Sequence, residues 1–149
     1  MTKSKISKSK GIILVIDDNA GILFVLRKAL ELKGYEVHTS DTFHGVAAVE
    51  TIAPDLMYLD ISLVGIDGRE VCQELKRDTR TKHIPIIILT AYPNAGELAK
   101  EAGANDFLPK PFDIETLWKM TVKHILVPAK NRTLAREQKR EIGQIPSSV

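Results

Sequence analysis

One cysteine, Cys72, stands in 149 residues. A single thiol excludes an intrachain disulfide and fits a reducing, cytoplasmic setting. No apolar run approaches the roughly 20 residues that span a bilayer. The first ten residues alternate lysine with serine and lack the apolar core of a signal peptide. Internal repeats are absent, and the only biased segments are the two ends. The histidines, His38, His44, His83 and His124, are scattered, none with a second ligand at metal spacing. No basic patch is evident along the sequence of the body either. Residues 1–10 carry four lysines and no acid, and residues 128–149 carry five basic residues against Glu137 and Glu141. Residues 11–127 hold 12 basic and 17 acidic side chains, a net of −5. The formal charge of +2 therefore belongs to the ends, and no direct nucleic-acid partner is expected.

Against these absences stands an unbroken apolar run, Ile12-Ile13-Leu14-Val15-Ile16, which stops at Asp17-Asp18-Asn19. β-Branched and without alternation, it reads as a strand buried on both faces, as in parallel sheets. The two acids then fall at the strand's carboxyl end, where open α/β sheets bind ligands. Residues 21–33 place Ile22, Val25, Leu26, Ala29 and Leu30 at helical spacing, closed by Lys33-Gly34. Glu36-Val37-His38-Thr39 is a short strand. Asp41 or Thr42 is a candidate cap for a helix that buries Val46, Val49 and Ile52 and stops before Pro54.

Leu56-Met57-Tyr58-Leu59-Asp60 is a second apolar strand ending in an acid. A loop, residues 61–67, leads through Gly68 into a helix packing Val71, Cys72 and Leu75. Ile86-Ile87-Ile88-Leu89 is a strand ending in Thr90-Ala91, followed by a small-residue helix with Ala95, Leu98, Ala99 and Ala102 inside. Asp106-Phe107-Leu108 is a last short strand, Pro109-Lys110-Pro111-Phe112 a rigid turn, and Asp113 the cap of a helix burying Ile114, Leu117, Trp118, Val122 and Ile125. Lys119, Met120, Lys123 and His124 fall on its solvated side. Five strands alternating with five helices imply an α/β fold, a doubly wound parallel sheet with helices on both faces. A flavodoxin-like order 2-1-3-4-5 sets the carboxyl ends of the first and third strands side by side. The expected organisation is a basic flexible tail over 1–10, one domain over 11–127, and a basic tail over 128–149, either a helical extension or flexible. Within the latter, Leu134, Ile142 and Ile145 are too sparse for an amphipathic helix.

With that order, Asp17, Asp18 and Asp60 converge at one rim. Like charges ~4 Å apart repel by about 4 kcal/mol even at an effective dielectric of 20, so a cation is needed. An all-oxygen donor set points to a hard ion, Mg²⁺ before Zn²⁺. Thr90 and Lys110 arrive at the same rim from the fourth strand and the turn after the fifth. A cation, an ammonium and a hydroxyl around one carboxylate would stabilise a phosphoryl group arriving there, since phosphoryl transfer needs little beyond positioning and charge neutralisation.

Asp17-Asp18, Asp60, Thr90-Ala91 and Lys110-Pro111-Phe112, in this order and spacing, resemble the receiver domain of two-component response regulators. The resemblance covers residues 11–127, and with no effector segment after them the expectation is a stand-alone, chemotaxis-regulator-like member. It implies that Asp60 is the phosphoacceptor nucleophile, taking its phosphoryl group from a histidine kinase or histidine phosphotransfer protein. It further implies that Asp17, Asp18, Asp60 and the backbone carbonyl of Ser62 hold Mg²⁺, with Asp18 direct and Asp17 direct or through water. Lys110 would pair with Asp60 and then with the phosphoryl oxygens, across a bond to Pro111 that is commonly cis. Thr90 would hydrogen-bond the phosphoryl group, and Phe107 takes the place of the switch aromatic, often Tyr. The output would be contact with a downstream effector protein, a phosphorylation-linked dimer being one form of it. The chain departs from the family at Val64, where Pro is usual, although Asp67-Gly68 fits. Ser62 and Tyr92 occupy positions that in the family tune dephosphorylation.

Three other readings compete. A haloacid-dehalogenase-type phosphatase wants its nucleophile and acid two apart after the first strand, where this chain has Asp17-Asp18-Asn19. A receiver-like adaptor without phosphorylation would not need the intact acids and Lys110. Flavin binding would need a phosphate-cradling loop where Asp17-Asp18 repels phosphate. Taken singly, Asp17-Asp18 reads as a helix N-terminal charge pair, Lys110 as a solvated turn lysine, and Trp118 and Cys72 as core.

Overall fold

Wherever an apolar run was uninterrupted, a strand forms, and each amphipathic stretch between them is a helix. In chain order these are β1 (Ile12–Ile16), α1 (Ala20–Leu32), β2 (Glu36–Ser40), α2 (Val46–Ile52), β3 (Leu56–Asp60), β4 (Ser62–Leu63) and β5 (Ile66–Asp67). Then come α3 (Gly68–Arg77), β6 (Ile86–Thr90), α4 (Ala95–Ala102), β7 (Asp106–Pro109) and α5 (Ile114–His124). This computed structural model describes residues 9–125; the readings made for residues 1–8 and 126–149 lie outside the described residues. Among the described residues no helix is long and apolar enough to cross a membrane.

The main sheet is parallel throughout, in the order β2-β1-β3-β6-β7. That is the doubly wound 2-1-3-4-5 arrangement. The sheet's alternating side chains feed two cores. Leu14, Ile16, Met57, Leu59, Ile86 and Ile88 meet the buried residues of α2, α3 and α4 on one face. Ile13, Val15, Leu56, Tyr58, Ile87 and Leu89 meet α1 and α5 on the other. β3 and β6, central in the sheet, are fully buried, which is why they read as continuous apolar runs.

The second helix begins later than Asp41 or Thr42 would have it. Its cap is Gly45, at φ 101°, a left-handed conformation that glycine adopts without strain. The loop after β3 is an antiparallel hairpin, Ser62 opposite Asp67 and Leu63 opposite Ile66, turning at Val64-Gly65. On α5 the buried stripe is shifted. Val122 is 70% exposed and Thr121 fully buried. Thr121 can lie inside because its hydroxyl donates to Leu117 O (2.8 Å) and bonds the Tyr58 hydroxyl (2.6 Å). Met120 packs against the α1/α5 core instead of facing water. His124 is also turned inward, its Nε2 2.6 Å from Asp106 Oδ2.

Candidate functional site

Asp17 and Asp60 are each delivered by a strand end and held by a backbone N–H. Asp17 follows β1, and its own N–H continues the sheet ladder to Ser40 O at 3.1 Å. Its side chain is wholly buried. Asp17 Oδ1 accepts the Asn19 N–H (2.9 Å), and Asn19 in turn caps α1 by accepting from Ile22 N (3.0 Å). So the tight turn that starts α1 also fixes the first carboxylate. Asp18, between them, is exposed to solvent.

Asp60 closes β3 and is 4% exposed. Its Oδ1 accepts the Ser62 N–H at 3.1 Å. Burial pushes the Asp60 carboxyl above its ordinary range; the Ser62 bond opposes this, the Asp17 charge adds to it, and Lys110 opposes it. The chain then doubles back, with Gly68 N donating to Ile61 O at 2.9 Å. A side chain on Gly68 would have its Cβ 2.6 Å from Ile61 Cα and against the backbone carbonyl of Asp60. Sequence reasoning placed Gly68 as a helix entry and missed this requirement; its signal was the Asp67-Gly68 pair, with Asp67 capping α3 through Arg69 N.

Lys110 lies past β7, and its N–H bonds Thr90 O (2.8 Å), tying the turn to the end of β6. Its bond to Pro111 is cis, as the resemblance implied. Its ammonium is 2.7 Å from Asp17 Oδ2 and 3.4 Å from Asp60 Oδ1. The shorter contact is therefore to Asp17, where pairing with Asp60 was expected. Asp17, Asp18 and Asp60 each offer an oxygen, all within 4.8 Å of one another. Three carboxylates with only oxygen donors fit a hard divalent cation and suit no soft one.

Thr90 is buried at the end of β6, one residue beyond Leu89, the partner of Asp60 across the sheet. Its Oγ1 accepts the Tyr92 N–H at 3.0 Å, which leaves the hydroxyl hydrogen free to donate elsewhere. Ser62 Oγ and the exposed Tyr92 hydroxyl meet at 3.4 Å, joining the hairpin to the loop after β6. Phe107 lies apart from the acids. Its half-buried ring packs on the α3/α4 core, and a Cβ on Gly96 of α4 would stand 3.4 Å from it.

The model of the response regulator receiver domain matches residues 13–122. This chain belongs to that family. The receiver domain is 41% identical over 108 residues to the DNA-binding dual master transcriptional regulator RpaA of Synechocystis, covering 70% of this chain and 45% of RpaA. The chain is 37% identical over 142 residues to the response regulator MprA of Mycobacterium ulcerans, covering 92% of this chain and 55% of MprA. The chain thus spans about half the length of these curated relatives. Among solved structures it superposes on the chemotaxis protein CheY4 of Vibrio cholerae with TM-score 0.71 at 27% identity, over 78% of this chain and all of that one. The receiver domain of the sensor histidine kinase PA1611 of Pseudomonas aeruginosa gives TM-score 0.71 at 28% identity, over 78% and 98%. That structure has a magnesium ion coordinated in its active-site cleft.

Proposed function

We propose that this receiver domain, residues 11–127, is a phosphoryl-accepting switch with Asp60 as its nucleophile. An Asp60 carboxylate oxygen forms a bond to the phosphorus of a phosphohistidine on a kinase or phosphotransfer protein. The phosphorus–nitrogen bond breaks, and the departing imidazole takes up a proton. Asp17, Asp18, Asp60 and the Ser62 carbonyl would hold Mg²⁺, which supplies charge neutralisation at the phosphoryl oxygens. Lys110, already between Asp17 and Asp60, moves its charge onto the new group, and the Thr90 hydroxyl donates to it.

The observation that carries this reading is the Lys110 ammonium, 2.7 Å from Asp17 and 3.4 Å from Asp60, at the same rim as the three acids. Moving either carboxylate off that rim costs the ammonium one of its two ion pairs. Phosphorylation adds roughly −1.5 to −2 charges. The added charge pulls on Thr90 and Lys110 and shifts a pre-existing equilibrium of the α4–β7–α5 face. Phe107, with no hydroxyl to solvate, favours the inward rotamer more than Tyr would, and Phe107→Tyr lowers the affinity of the unphosphorylated protein for its effector. We assign the protein to the cytoplasm, which its buried free thiol, Cys72, supports.

Incubation with Mg²⁺ and a small phosphodonor, read by intact mass, tests the reading. One phosphoryl group per chain is expected on wild type and none on Asp60→Asn. Equal labelling of both proteins, or turnover of the donor without a labelled intermediate, overturns it.

A further inference from the structure

On the seam between α1 and α5 the surface reverses the sign of the body. A groove of ≈ 560 Å³ there is lined by Trp118 and Val122 together with Lys10, Lys33, Lys119 and Lys123, with Glu115 as the sole acid among its lining residues. Trp118 is fixed at its edge: the indole N–H donates to Ala29 O at 2.9 Å, and Lys33 Nζ stands 4.0 Å over the ring. Val122 is 70% exposed, and Leu32, next to Lys33 in the chain, is 80% exposed. Lys119 pairs with Glu115 at 3.2 Å and Lys123 reaches Asp106 at 3.4 Å. Among the described residues, Lys10 and Lys33 have no carboxylate at ion-pair distance. Four ammonium groups thus surround an apolar strip in a chain whose residues 11–127 are net −5.

We infer that this groove docks an acidic amphipathic segment of a partner protein. Its apolar side chains lie on Trp118 and Val122, and its carboxylates reach Lys10, Lys33 and Lys119. Complementary charge steers such an encounter, and the exposed apolar residues supply the area that rewards contact. The chain's own residues 128–149, five basic against two acidic, carry the wrong sign to fill it. A second copy using the same groove would oppose lysine to lysine. Nucleic acid would meet the lysines but leave Val122 and Leu32 without a partner. The inference is independent of phosphorylation at Asp60.

Trp118 is the only tryptophan in the sequence, so its emission reports on this groove alone. The full chain is titrated with a synthetic helical peptide bearing Leu at helical spacing and Glu elsewhere. A saturable change in Trp118 emission is expected, weakened by salt and weakened ~10-fold or more in the Lys33→Glu/Lys119→Glu variant. The same change is expected in Asp60→Asn, so failure here is distinct from failure of the phosphoryl reading. Val122→Glu, with far-UV circular dichroism confirming its fold, weakens binding without touching a lysine. No emission change, equal affinity of the charge-reversed variant, or a response to duplex DNA, anionic vesicles or rising protein concentration in place of the peptide overturns the inference.

Discussion

At the rim Asp17 and Asp60 are buried and Lys110 is only 17% exposed, and each has a partner of opposite charge. Lys33, Lys119 and Lys123 stand on an open flank, in water, holding only loose partners. The residue types are alike and their energetic weight is not. A buried charge that loses its partner keeps its desolvation cost, whereas an exposed one returns to solvent. The rim is therefore rigid and intolerant, and the flank is free to be shaped by whatever binds it.

The sharpest break in that contrast is steric. Gly68→Ala drives a methyl into the backbone of Asp60 and Ile61, and we expect a loss of ~4 kcal/mol in urea unfolding, at the extreme of single substitutions. Lys110→Met removes the ammonium and leaves Asp17 and Asp60 facing each other; about 3 kcal/mol should be lost in chelator. Asp60→Asn works the other way, relieving the like-charge contact and raising stability by about 1 kcal/mol at neutral pH while abolishing labelling.

That gain has a pH signature. The folded-state value of Asp60 is raised, so its carboxyl favours folding below the ordinary value of 3.8 and loses that advantage as pH rises through the folded value. The stability gap between Asp60→Asn and wild type should therefore open above that value and close below it, in thermal unfolding without metal. The smallest effect belongs to the flank. Lys33→Glu with Lys119→Glu should change stability by no more than about 0.5 kcal/mol, and a larger loss would mean the flank is structural.

The rim was legible in the sequence because each of two apolar runs ends abruptly in an acid. Ile16-Asp17 and Leu59-Asp60 each mark a strand's carboxyl end, and topology brings the two ends together with both acids still buried. What stayed hidden was set by contacts between distant residues. Thr121 looks like a solvated position until Tyr58, 63 residues away, supplies its partner, and this turns Val122 outward. The hairpin of β4 and β5 has two residues per strand, too few for any period to show. The preference of Lys110 for Asp17 over Asp60 is a matter of 0.7 Å between 2.7 and 3.4 Å, set by the turn after β7. Gly45 caps α2 because a left-handed bend is needed there, and neither Asp41 nor Thr42 sits where the helix begins.

α4 meets the sheet through Leu98 and three alanines, Ala95, Ala99 and Ala102, with Gly96 beside Phe107. Such short side chains interlock little, so moving this helix a fraction of a turn strips few methylenes from their surroundings. Its neighbour α3 buries Val71, Cys72 and Leu75, and α1 on the opposite face buries Leu26 and Leu30; both would resist the same displacement. The fold thus has a soft element beside Thr90 and Phe107, and the amides of α4 should exchange with deuterium ahead of those in α1 and α3.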